Sequence, residues 1–202
     1  MIISQLVKDF LTYWQSIKMD GQIIPLKSNF KPFEVPECVP YLSVLEVEDP
    51  SETIEQGKED NSLCVRIKLT GTNVYERYQM ELTGTNILDL FPAEDRHPLY
   101  EGFKSLIAHP AGIWRRMISP HRRNFHLYDE SLILPLYDER RDKNIPILLS
   151  VAKDIAEQEF ITYSEDGGHI QKGNEHLWID IGKGVPGPFS GLTTNQFLAH
   201  SP

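Results

Sequence analysis

Alternating apolar and polar residues constrain the fold of this chain more than any other sequence feature. The clearest run places an apolar residue at every second position, at Leu63, Val65, Ile67 and Leu69. Residues 145–153 repeat the spacing at Ile145, Ile147, Leu149 and Val151. Successive side chains of a strand point to opposite faces, so this period predicts strands with one buried face. The fold must therefore include a sheet whose apolar face is covered by other elements.

The order of the predicted elements narrows the fold class. The sequence predicts five strands, near residues 41–48, 62–69, 112–118, 125–137 and 145–153. Short helical pieces lie between the second and third strands and lead into a helix at 95–108, with Asp95 as its N-cap. Two strands, then helices, then three strands predict an α+β fold. We expect a five-stranded antiparallel sheet with helices from 72–108 over one face.

An amphipathic helix is predicted over residues 2–18. Its apolar stripe follows the spacing of packed helices and consists of Ile3, Val7, Phe10, Trp14 and Ile17. A helix this short is marginal in isolation, so another surface must cover the stripe. One interpretation is packing on the chain's own domain. The other is a dimer helix, and we expect a homodimer.

The chain divides into three predicted regions. Residues 1–40 hold the N-terminal helix and a proline-rich lead-in, residues 41–157 hold the domain, and residues 158–202 form a partly flexible C-terminal extension. In that extension Gly182, Gly184 and Gly187 have the spacing of a dinucleotide fingerprint. Pro186 and Pro188 prevent the helix that such a fingerprint needs, so we do not assign it that function.

Composition excludes several classes of function. The net charge of −9 disfavours non-specific nucleic-acid binding, which depends on Lys and Arg. The two cysteines, Cys38 and Cys64, have no zinc-site spacing, and no His or Cys motif indicates a metal. No signal peptide or membrane-spanning stretch is apparent, so we expect a cytoplasmic protein without a membrane partner.

One basic stretch contrasts with this acidic composition. It contains four arginines within nine residues, Arg115, Arg116, Arg122 and Arg123. One interpretation is a strand pair joined by a solvated turn. The other is a patch for an anion or a protein partner, since the forked guanidinium group suits carboxylates and phosphates.

Three local segments resemble the PAS domain family. Gly84, Asp89 and Leu90 form a "G-x-x-x-x-D-L" run that leads through Pro92 into Glu94 and Asp95. Leu134–Asp138 resembles the family's penultimate strand with its proline, and Lys153–Ile155 resembles the end of the last strand. The whole chain also resembles a group of stand-alone bacterial PAS-like proteins, which carry an N-terminal helix with a Trp and a proline-rich lead-in.

The resemblance implies a non-enzymatic sensory or protein-interaction module with room for a small ligand in its interior. Residues that would line such an interior are Phe103, Ile107, Trp114 and Leu134. No residue matches a haem ligand or a flavin-attachment cysteine of the family, so no cofactor is expected. Two alternatives stay open: a structural dimerisation adaptor with a packed core, and a small enzyme with an unrecognised site.

Overall fold

A single mixed sheet organises the protein. The computed structural model describes residues 3–48, 64–121, 125–141, 146–155 and 171–200. In these residues the strands are β1 (Leu42–Glu48), β2 (Cys64–Thr70), β3 (Gly112–His121), β4 (Phe125–Leu136), β5 (Ile147–Asp154), β6 (Gln171–Asp180) and β7 (Gly191–Thr193). The α-helices are α1 (Gln5–Ser16), α2 (Thr72–Tyr78), α3 (Ala93–Ala108) and α4 (Thr194–Leu198).

The strand order is β2-β1-β5-β4-β3-β6-β7. Neighbouring strands are antiparallel except β6 and β7, which run parallel. All five predicted strands occur close to their predicted bounds. The predicted count of five is wrong, because the described residues form a seven-stranded sheet. The two further strands lie in the extension, where Gln171–Asp180 and Gly191–Thr193 join the sheet.

The sequence prediction missed β6 because its residues do not alternate. Its apolar residues are consecutive, at Leu177, Trp178 and Ile179, and follow a polar stretch. β6 is a strand because it pairs with β3, where Gly112 lies opposite Ile179 and Trp114 opposite Leu177. The register shifts between Arg115 and Met117 of β3, a β-bulge that local sequence did not reveal.

Two helices and a short turn cover one face of the sheet, which we call the α3 face. α2 and a 3-10 turn at Ile87–Leu90 precede α3, as the prediction for residues 72–108 required. The predicted N-cap was wrong: Pro92 occupies the cap position and Asp95 lies in the first turn. A carboxylate there still favours the helix, because the partial positive charge of its N-terminus is near.

The N-terminal helix covers the opposite face, which we call the α1 face. Ser4 caps α1 by accepting a hydrogen bond from the Val7 amide at 3.4 Å. Four residues of the predicted dimer stripe, Ile3, Val7, Phe10 and Trp14, are buried against the chain's own sheet. Ile17, the fifth, is partly exposed at the end of the helix.

This packing corrects the interpretation of the stripe as a seam between subunits. The Trp14 indole donates a hydrogen bond to the Pro135 carbonyl at 2.9 Å, which places the helix directly on β4. A homodimer stays a prediction, and its interface would have to use another surface.

The proline-rich lead-in lies against the end of β4. Its backbone pairs with Tyr137, whose amide donates to the Pro25 carbonyl at 3.0 Å. The Lys27 ammonium lies 2.9 Å from the Asp138 carboxylate. The lead-in is therefore held on the sheet rather than free. Within the described part of the chain, no helix has both the length and the apolar composition needed to cross a membrane.

Candidate ligand-binding site

The α3 face contains a cavity of about 420 Å³. α3 forms one side, β3 and β4 form the floor, and β6 with the following turn forms the other side. The volume lies within the range of small-molecule sites, roughly 300–1,000 Å³. The lining is mostly apolar and includes Phe91, Leu99, Phe103, Ile113, Met117, Ile133, Trp178 and Phe189.

Local sequence explains why these side chains converge. Ile113, Arg115 and Met117 are alternate residues of β3, so they share the α3 face. In α3, Leu99 and Phe103 are four residues apart and lie on the side of the helix toward the sheet. Across the cavity, the Trp178 ring stacks on Phe189 with 5.4 Å between ring centroids.

Arg115 brings a positive charge into this apolar lining. Its Nε donates to the Ser131 hydroxyl at 3.4 Å, and its guanidinium lies 5.9 Å from the centre of the Phe91 ring. Burial lowers the pKa of Arg115, and the charge of Asp129 offsets this only in part. Arg115 also borders a smaller void of about 50 Å³ deeper under α2, so it lies where the two spaces approach each other.

Arg116 is the second basic residue at the cavity, and its charge is paired. Its Nη1 lies 2.9 Å from a carboxylate oxygen of Glu175, and its guanidinium lies 5.5 Å from the centre of the Trp114 ring. Glu175 belongs to the irregular part of β6 opposite Arg116, where the register shift occurs. The bulge therefore brings this ion pair to the rim of the cavity.

A buried ion-pair network lies beside the smaller void. Arg77 of α2 lies 3.3 Å from Asp129 and 2.8 Å from Asp154, and it donates to the Ala152 carbonyl at 3.1 Å. Burial acts to lower the pKa of Arg77, but these two carboxylates raise it. The network ties α2 to the ends of β4 and β5 and is a structural anchor.

The structure brings together only part of the predicted pocket. Phe103 lines the cavity, and Ile107 packs on the same core without lining it. Trp114 and Leu134 do not belong to the pocket, because they lie on the α1 face. The reason is strand alternation: Trp114 is one residue from Arg115, and Leu134 is one residue from Ile133, which does line the cavity.

The predicted arginine patch is also divided. Arg115 and Arg116 line the cavity, whereas Arg122 and Arg123 lie outside the described residues. Sequence reasoning missed Trp178 and Phe189, which form the wall opposite α3. The apolar triplet around Trp178 was the available signal, but only pairing with β3 places it at the site.

The two cysteines, Cys38 and Cys64, do not line this cavity. Both cysteines are free, and burial is the largest factor that raises the pKa of Cys38 and of Cys64 to about 11. In the residues that the structure describes, no group of three or more His, Cys, Asp or Glu side chains is arranged to hold a metal ion.

The protein thus combines a largely antiparallel sheet with helices that border a cavity on one face. The family model described as "PAS domain" matches residues 3–148. The chain therefore belongs to the PAS domain family, as the resemblance in its sequence implied. No curated protein matches the chain. The match ends before β6, so part of the cavity wall comes from residues outside the matched region.

Proposed function

We propose that this protein is a sensory module that binds a small, mostly apolar molecule in the cavity between α3 and strands β3, β4 and β6. The observation that carries the proposal is the cavity of about 420 Å³ itself, since protein interiors are otherwise close-packed. Membership of the PAS family indicates a sensory or interaction role. An accessible apolar space on the helix-covered face favours ligand sensing over an adaptor with a packed core.

The lining also favours binding over catalysis, and we propose a non-enzymatic role. Among the described residues that line the cavity there is no Ser, Thr, Cys or Lys. These are the side chains that most often act as nucleophiles in covalent catalysis. Mostly apolar walls with a small set of polar side chains, here Glu101, Arg115, Arg116, Glu175 and His176, are typical of a small-molecule binding site.

Gly102 offers a direct test of the site. It lines the cavity from α3, and a Cβ added there would meet no atom within 4 Å. Gly102→Phe should therefore fill the space, whereas Gly102→Ala should leave most of it open. The neutral dye N-phenylnaphthylamine is a suitable probe, because its fluorescence rises in apolar sites and Trp178 borders the cavity.

Wild type and Gly102→Ala should bind the dye, and Gly102→Phe should lose affinity by about tenfold or more, as expected when an apolar site is filled. Circular dichroism and thermal unfolding must show that each variant is folded. If Gly102→Phe does not fold, Gly102→Leu replaces it. Absence of dye binding to wild type, or equal binding by the filled variant, would reject the proposed site.

A further inference from the structure

We propose that the ligand is a small monocarboxylate, whose carboxylate binds Arg115 and whose apolar body occupies the rest of the cavity. This inference rests on the proposed ligand-sensing function and adds the chemical class of the ligand. It is carried by a contrast among the arginines of the α3 face. Each of the others has a carboxylate partner, and Arg115 has none among the described residues.

The two neighbouring arginines, Arg77 and Arg116, are both paired with carboxylates. Arg77 contacts two carboxylates, Asp129 and Asp154, and Arg116 contacts Glu175. Arg115 has a single hydrogen bond from Nε to Ser131, and the ring of Phe91 lies near its guanidinium. Its two terminal nitrogens are therefore left without a protein acceptor in the described part of the chain.

The chemistry of the guanidinium group indicates which ligand group would bind the two terminal nitrogens of Arg115. Arg stays protonated in proteins, so Arg115 cannot relieve its burial by losing a proton. A buried charge without an ion-pair partner is costly, and the charge of Asp129 offsets that cost only in part, so an incoming anion stabilises the guanidinium further. The terminal nitrogens present parallel donors that match the two oxygens of a carboxylate.

The surroundings of Arg115 select for a single negative charge. The rest of the lining is largely apolar, which suits a hydrocarbon or aromatic body. Glu101 and Glu175 lie at the exposed rim, where each already neighbours a cation, Glu101 with Lys104 at 4.0 Å and Glu175 with Arg116 at 2.9 Å. A second carboxylate on the ligand would approach these residues, so dicarboxylates should bind less well than monocarboxylates.

The test compares ligands that differ only in charge. Phenylbutyrate and phenylbutyramide have the same apolar body, and phenylsuccinate supplies a second carboxylate. Each would be titrated against the protein by displacement of N-phenylnaphthylamine and by calorimetry. Wild type should prefer phenylbutyrate over the amide by about tenfold to a hundredfold, the range expected for a charge-assisted pair. Phenylsuccinate should bind less tightly than phenylbutyrate.

Arg115→Met should remove the preference for the carboxylate while leaving dye binding in place. Arg115→Lys should retain part of it, since Lys keeps the charge but not the forked donors. The matched control is Arg141→Met, which makes the same kind of substitution at an arginine that pairs with Glu46 and does not line the cavity. This control should keep the preference.

Each outcome decides between the two proposals. If wild type binds dye but binds the acid and the amide equally, the carboxylate inference fails and the cavity function survives. The same holds if Arg115→Met binds dye and retains the preference. If wild type binds neither the dye nor any of the three ligands, both proposals fail.

Discussion

The two faces of the sheet are covered in different ways, although one set of strands supplies both. On the α1 face, Phe10, Trp14, Trp114 and Leu132 are fully buried in a continuous apolar core. On the α3 face, the core is interrupted by a cavity of about 420 Å³. The α1 face is therefore close-packed and contributes mainly to stability. The α3 face is packed less completely, which leaves space for a ligand.

The two faces also differ in how completely their polar side chains are hydrogen-bonded. On the α1 face, the buried carboxylate of Glu130 accepts hydrogen bonds from the Trp114 indole at 2.7 Å and from the Ser4 amide at 3.0 Å. These bonds fix the start of α1 on the sheet. On the α3 face, Arg115 faces the cavity with one hydrogen bond and no ion pair among the described residues. Hydrogen-bond donors that lack a protein acceptor and lie beside an unfilled cavity are typical of a binding site, whereas a packed core pairs its polar groups.

The largest expected loss of stability comes from a substitution on the α1 face. Trp14→Ala removes a side chain that is 0% exposed together with its hydrogen bond to Pro135, so the free energy of unfolding should fall by about 3–5 kcal/mol. Phe189→Ala on the cavity wall, where the ring is 44% exposed, should cost much less. Urea denaturation of both variants measures the difference, and equal losses would contradict the contrast between the faces.

Glu130 provides a second test of the same face. Glu130→Ala leaves the Trp114 indole and the Ser4 amide without their acceptor, so the free energy of unfolding should fall by about 1–3 kcal/mol. Hydrogen exchange should also show lower protection in the first turn of α1. A variant that keeps wild-type stability and protection there would show that Glu130 does not anchor the helix.

A pair of glycines compares the free space on the two faces. A Cβ at Gly112 would lie 3.0 Å from a Leu134 methyl and 3.2 Å from the Ile179 Cβ, both on the α1 face. Gly112→Ala should destabilise the protein by about 1 kcal/mol through overpacking. Gly102→Ala in α3 meets no atom within 4 Å and should stabilise it by about 0.5–1 kcal/mol. If both substitutions shift the unfolding temperature in the same direction, the two glycines do not differ in the free space around them.

The smallest expected loss of stability comes from an ion pair of the lead-in, which borders the α1 face. The hydrogen bond from Lys27, aided by the Arg140 amide, lowers the pKa of Asp138 to about 2. Since this carboxylate has a lower pKa when folded, its contribution to stability is present above pH of about 4 and is lost as the pH falls toward about 2.

Lys27→Met should therefore destabilise the protein at neutral pH by about 1 kcal/mol or less, because Lys27 is 41% exposed and solvent screens the pair. The difference from wild type should shrink between about pH 4 and pH 2. Lys31→Met, which removes only the surface pair with Glu34, is the control and should show little change at any pH. A difference for Lys27→Met that is independent of pH would contradict the role of Asp138.

Much of the fold was predictable because it is encoded locally. Alternation in residues 63–69 and 145–153 predicted strands that became β2 and β5, and the stripe from Ile3 to Trp14 predicted a helix with a buried face. These signals depend only on the geometry of one strand or one helix, so a single segment carries them. The cavity was predictable only in outline, with Phe103 as the one predicted pocket residue that lines it.

Only the tertiary structure decided which face each residue serves. Trp114 and Arg115 are neighbours in sequence, yet the first supports α1 and the second enters the cavity. A strand pattern defines two faces but does not say which helices will cover them. Trp178 and Phe189 reach the site because β6 pairs with β3, about sixty residues earlier in the chain, as non-local strand pairing allows. The sequence by itself determined most of the elements and their apolar faces, and long-range pairing determined which of those faces borders the cavity.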